Sequence, residues 1–177
     1  LLEHEKWKKD RSTKYLAKKS LESLRANSDR LTQIFGGQQW KQHPGLLGYS
    51  PEIIQERADN LTKLLEGDQW KNHPSLFARN PDALKSNANN LTKLLENDKW
   101  KKTPNLLTFS PETINIHAES LTKIIDNNRW QKQPELLAKS PDVLRAAAEN
   151  LTKLFGSGKW KKFPFLLRIS QDTLEAN

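Results

Sequence analysis

Along residues 51–65 a set of apolar positions falls at Ile54, Ala58, Leu61 and Leu65, and along 141–155 at Leu144, Ala148, Leu151 and Phe155. Offsets of four, seven and eleven put these side chains on one stripe of an α-helix, which Leu64, Leu94, Ile124 and Leu154 widen. The stripe returns every thirty residues, and tryptophan keeps the same step at Trp40, Trp70, Trp100, Trp130 and Trp160. With each Trp as column 1, units run 40–69, 70–99, 100–129 and 130–159, with a partial unit at 160–177. A fixed period of this length predicts an all-α solenoid, a superhelix of helix-pair repeats with a short 3-10 turn in each. Residues 1–39 read as a degenerate capping repeat: Leu16, Ser20, Leu24, Leu31 and Phe35 keep the rhythm, but the proline is missing and Trp7 comes three residues early.

The polar columns mark the ends of the elements. Columns 11–13 read Ser50-Pro51-Glu52, Asn80-Pro81-Asp82, Ser110-Pro111-Glu112, Ser140-Pro141-Asp142 and Ser170-Gln171-Asp172. A Ser or Asn cap, a proline in the first turn and a nearby acid start a helix, because the cap oxygen takes an orphan N–H and the carboxylate meets the positive dipole end. That long helix is expected to end near Gly67-Asp68, Asn97-Asp98, Asn127-Asn128 and Ser157-Gly158. A shorter helix is expected over Trp100-Lys101-Lys102 and its counterparts. Pro44, Pro74, Pro104, Pro134 and Pro164 then interrupt it, and Pro-x-Leu-Leu reads as a short helical or 3-10 turn. Tryptophan and the leucine pair are expected to face inward, where one unit alone cannot bury them and neighbours must stack.

Composition narrows the chemistry. The chain has no cysteine, which excludes disulfides and thiol catalysis and fits an intracellular setting. It has no run of eighteen apolar residues, so no spanning helix is expected. It has no methionine, begins in charged sequence and stops within a repeat, and is expected to be a fragment. Net charge is +8, pointing to an acidic partner such as nucleic acid. The charge is diffuse: residues 1–39 hold nine Lys/Arg against five Asp/Glu, and the full repeats are close to neutral.

Pro44-Gly45-Leu46-Leu47 followed by Ser50-Pro51-Glu52, and the stretch from Pro104 to Glu112, resemble the repeat of the mitochondrial transcription termination factor family. The resemblance covers residues 10–177. It implies a superhelix of helix pairs with a 3-10 turn, binding to organellar nucleic acid with duplex DNA favoured over RNA or single strands, and a mitochondrial or plastid home.

Two lysine columns are candidate phosphate contacts. Column 24 holds Lys63, Lys93, Lys123 and Lys153, about 180° around the helix from the stripe. Asp59, Glu119 and Glu149, four residues before three of them, supply a competing reading as helix-surface pairs. Column 2 holds Lys41, Lys71, Lys101 and Lys161, for which no compensating column is expected. Column 16 varies as Arg25, Gln55, Lys85, Asn115, Arg145 and Glu175, side-chain types that include base readers and equally the usual fillers of exposed helix. Asn60, Asn90 and Asn150 match the glycosylation pattern but sit in one structural column. His4, His43, His73 and His117 have no metal-ligand spacing, and no phosphate loop, carboxylate pair or nucleophile motif occurs. The expectation is a nucleic-acid binder without catalysis, cofactor, metal or membrane contact, with a protein-interaction scaffold as the alternative.

Overall fold

The computed structural model describes residues 16–95, 98–156, 158–169 and 173. Trp7, His4, Asn97, Ser157, the helix start at Ser170–Asp172 and Glu175 lie outside the described residues. Among those described there is no strand, and the long helices are α1 (Leu21–Phe35), α2 (Pro51–Leu65), α3 (Pro81–Leu95), α4 (Pro111–Ile124) and α5 (Pro141–Phe155). The chain divides into two compact units, Leu1–Lys85 and Ser86–Asn177.

Each helix starts where the cap residues place it. Ser20, Ser50, Ser110 and Ser140 accept the N–H of the residue three ahead, at 3.1–3.4 Å, and Asn80 accepts from Asp82 and Ala83 at 2.8 and 3.3 Å. The helices stop slightly earlier than expected. Gly36 (φ 68°) and Glu66 (φ 55°) take the left-handed conformation directly after α1 and α2, where the N–H of Glu66 closes on Thr62.

Between long helices the chain makes two short turns, not an α-helix and a turn. The Trp-bearing segments are 3-10 helices at Gln39–Gln42, Gln69–Asn72, Asp98–Lys102, Asp126–Lys132 and Trp160–Lys162. The expected short helix over Trp100-Lys101-Lys102 is therefore 3-10. Pro-x-Leu-Leu forms a second 3-10 turn in four units and a single α turn at Pro74–Phe77. Proline explains the break. It excludes the residue before it from helical geometry, and His43, His73, Thr103, Gln133 and Phe163 all sit near φ −130°, ψ 70°. The repeat is thus one fifteen-residue helix, fourteen for α4, plus two tight turns.

Packing follows the columns. Trp40, Trp70, Trp100, Trp130 and Trp160 are at most 3% exposed, and the leucine pairs and helix stripe are buried up to Leu151, whereas Ala148 and Leu166 are half-buried and Phe155 is exposed. Every one of these indoles donates Nε1–H to the threonine hydroxyl eight residues earlier, Thr32, Thr62, Thr92, Thr122 or Thr152, at 2.8–3.2 Å. Thr32, Thr122 and Thr152 pass that bond on to the carbonyl four residues back. The indole is buried without leaving its one polar atom unpaired, which would cost about 1–3 kcal/mol.

A second bond joins consecutive repeats. From column 18, Asn27 donates to the carbonyls of Leu47 and Tyr49 at 2.9 and 2.8 Å. Arg57 does the same to Phe77 and Arg79 at 2.6 and 2.9 Å, and Asn87 to Leu107 and Phe109 at 2.9 and 2.7 Å. His117 Nδ1 donates to Leu137 at 2.7 Å, which requires the proton on that nitrogen. The fifth position is Ala147, which has no donor to give. The side chains of this column differ as Asn, Arg, Asn and His and share only a donor nitrogen that reaches the next Pro turn.

Candidate nucleic-acid interface

The two lysine columns exchange roles relative to expectation. Column 2 has partners after all: Lys71 pairs with Asp68 at 2.6 Å, Lys101 with Asp98 at 2.8 Å and Lys161 with Asp126 at 3.3 Å, while Lys41 donates to Gln38 at 2.9 Å. For Lys71 and Lys101 the acid lies three residues earlier, at the end of the preceding unit, whereas Lys161 reaches Asp126 thirty-five residues back and Lys41 has only the Gln38 amide. A 3-10 turn eclipses positions three apart, so the pairing depends on turn geometry that an α-helical reading does not provide. These lysines are also half-buried, with Lys101's side chain only 15% exposed.

Column 24 is the reverse. Lys63, Lys93, Lys123 and Lys153 are exposed, and none joins an ion pair among the described residues. The acids four residues earlier do not engage them; Asp59 instead accepts from Gln55 at 2.7 Å. Within the second unit, Lys123, Lys153 and Lys161 line one shallow groove with Ile124, Glu149 and Trp160. An equivalent groove one repeat earlier is lined by Asn115, Glu119, Lys123, Asn128 and Gln131. The Trp turns that line these grooves also carry Arg129, Lys132, Lys159 and Lys162, and the turn one repeat earlier carries Lys102, all exposed and outside any ion pair among the described residues. In the first unit the described Trp turns, Gln39–Gln42 and Gln69–Asn72, carry Lys41 and Lys71.

Two members of column 16, Gln55 and Asn115, bond the preceding helix. Gln55 accepts from Arg30 and donates to Asp59, and Asn115 accepts from Asn90 at 3.3 Å. Arg30 and Asn90 both occupy column 21 of the preceding helix. Lys85 lines a cleft with Asn60, the column 21 residue of its own neighbour. Arg145 pairs with Asp142 on its own helix, and Arg25 is exposed. Columns 16 and 21 of successive helices therefore meet at the joints where Arg30 bonds Gln55 and Asn90 bonds Asn115, although column 21 keeps asparagine at Asn60, Asn90 and Asn150 while column 16 changes.

The electrostatics of the helix starts and turns are local. Glu52 and Glu112 are held below their ordinary range by hydrogen bonds from Ser50 and Ser110 and from their own backbone. Asp98 is lowered by its bonds from Lys101 and Thr92, and His43 is lowered by burial. No group of three His, Cys, Asp or Glu residues among the described residues forms a metal site. No helix of the described residues is long and apolar enough to cross a membrane. No protein-family model, curated protein or solved structure matches the chain.

Proposed function

We propose that the protein binds the phosphate backbone of nucleic acid, with duplex DNA as the first ligand, and performs no chemistry on it. The carrying observation is the groove that gathers Lys123, Lys153 and Lys161, two of them unpaired, beside exposed cations on the neighbouring turns. Each phosphate neutralised releases counterions, so a few such contacts give affinity that depends steeply on salt. The residues proposed to touch phosphate are thus Lys93, Lys123 and Lys153, with Lys63 the equivalent in the first unit. Lys41, Lys71, Lys101 and Lys161 contribute after releasing a side-chain partner. Base reading by Arg25, Gln55, Lys85, Asn115 and Arg145 is the weaker part, because the amides of Gln55 and Asn115 already bond neighbouring helices. The likeness to the mitochondrial transcription termination factor repeat supports the same ligand class and an organellar location.

The test is a mobility-shift titration with random-sequence duplex at two salt concentrations. Dissociation constants of roughly 1–100 µM that weaken steeply with salt are expected. The Lys123→Ala/Lys153→Ala pair removes two contacts and is expected to reduce the slope of log K against log salt by about 1.8. No binding at low salt, or an unchanged slope in the double variant, rules the reading out. Salt-insensitive capture of a protein in its place supports the scaffold alternative, which solenoid faces serve equally.

A further inference from the structure

The joint between α2 and α3 differs from its neighbours in the side chain at column 18. Asn27 and Asn87 make their two bonds to the next Pro turn with one amide nitrogen, which then has no hydrogen left to give. Arg57 makes the same two bonds with Nη1 alone, at 2.6 and 2.9 Å, and its guanidinium lies 4.2 Å from the centre of the Tyr49 ring. A guanidinium carries five N–H donors, so the three on Nε and Nη2 have no acceptor among the described residues. Arg57 is half-buried and joins no ion pair among them either. The clasp accounts for an asparagine at this position but not for an arginine.

Arg57 lines a cleft between the second half of α2, the Pro74–Phe77 turn and the start of α3. Leu61, Leu64, Phe77 and Leu84 make its apolar wall. Arg79 and Lys85 line it as well, both exposed and outside any ion pair among the described residues. The lining thus holds three cations and no acid, whereas the grooves at Asp59, Glu119 and Glu149 each hold a carboxylate. The cavity volume is ≈ 20 Å³, room for the tip of one aliphatic side chain and too little to enclose a free ligand.

We infer that this cleft docks an acidic peptide segment of a partner protein, with one leucine side chain against the apolar wall and a neighbouring carboxylate paired with Arg57. Nε and Nη2 offer the two parallel N–H bonds with which a guanidinium holds a carboxylate, and Arg79 and Lys85 add charge of the matching sign. The small cavity selects a chain over a free acid, because most of the ligand must make its contacts outside. Every residue of the cleft belongs to the first unit, and the inference stands without the nucleic-acid reading.

The experiment titrates the chain with acetyl-Glu-Leu-Glu-amide and follows its backbone amides by NMR. Shifts confined to residues 57–64 and 76–85 are expected, with a dissociation constant of roughly 0.1–1 mM. Acetyl-Gln-Leu-Gln-amide and acetyl-Glu-Ala-Glu-amide, which lack the charge and the anchor, are each expected to bind about fivefold more weakly or worse. Arg57→Asn installs the side chain that clasps the neighbouring joints, so it is expected to hold the melting temperature within about 4 °C while weakening the peptide about tenfold or more. Lys85→Ala alters an exposed side chain and is expected to weaken the peptide about two- to fivefold at low salt, which reads the same site should Arg57→Asn unfold. No shift at millimolar peptide, equal binding of the Gln peptide, or full affinity in a folded Arg57→Asn would each overturn the inference. So would 4-methylpentanoate binding as tightly as the peptide, which makes the occupant a free acid, or duplex DNA shifting these amides where the peptide does not.

Discussion

Ala147 stands where Asn27, Arg57, Asn87 and His117 each reach the next Pro turn, and Ala147→Asn should restore the clasp at the last joint. The substituted amide would face the carbonyls of Leu167 and Ile169, the counterparts of Leu107 and Phe109. Two net hydrogen bonds contribute about 1–3 kcal/mol, against roughly 0.7 kcal/mol for replacing Ala with Asn in a helix. The gain is therefore about 0.5–2 kcal/mol. For a chain of this size it raises the melting temperature by ~1–8 °C. Asn87→Ala is the reverse experiment: it leaves the Leu107 and Phe109 carbonyls without their donor and is expected to lower the melting temperature by a comparable or larger amount. Circular dichroism at 222 nm during thermal and urea melts reads both, and the urea midpoint guards against non-two-state unfolding of a repeat array. A drop in stability for Ala147→Asn, or a neutral Asn87→Ala, would refute the assignment of column 18 as a joint.

Other outcomes follow from the same contacts. Trp100→Phe keeps most of the buried ring but removes the donor to the Thr92 hydroxyl, which still donates to Asp98, and is expected to destabilise by about 1–2 kcal/mol in urea melts, with Thr92→Val adding to the loss because it also removes the Asp98 bond. Asp98 has a lowered pKa through Lys101 and Thr92, so its contribution is present above the unfolded carboxylate value and is lost as pH falls through the lower folded value; Asp98→Asn should flatten the acid limb of stability against pH below about 4. If the phosphate reading holds, Asn115→Arg should leave the preferred DNA sequence unchanged in site selection, because column 16 packs against the preceding helix; a shifted preference would revive base reading. The same substitution should weaken the Asn90 contact, read as faster amide exchange in α4.

The sequence alone determined the repeat, its thirty-residue period, the starts of the helices and the inward-facing Trp, Leu and Ala columns. These are local or periodic properties: a Ser or Asn cap and a proline fix a helix start within four residues, and a stripe at helical spacing fixes the buried face. Tertiary structure decided which polar side chains are already spent. Lys71, Lys101 and Lys161 lost their expected freedom because a 3-10 turn, or a neighbouring repeat, brings an aspartate to them. Lys123 and Lys153 kept theirs although acids stand at the helical pairing distance in sequence. Column 18 and the pairing of columns 16 and 21 were beyond reach for a related reason. Both join residues about twenty to twenty-five apart, and a single repeat gives no account of which flank of its helix meets the next.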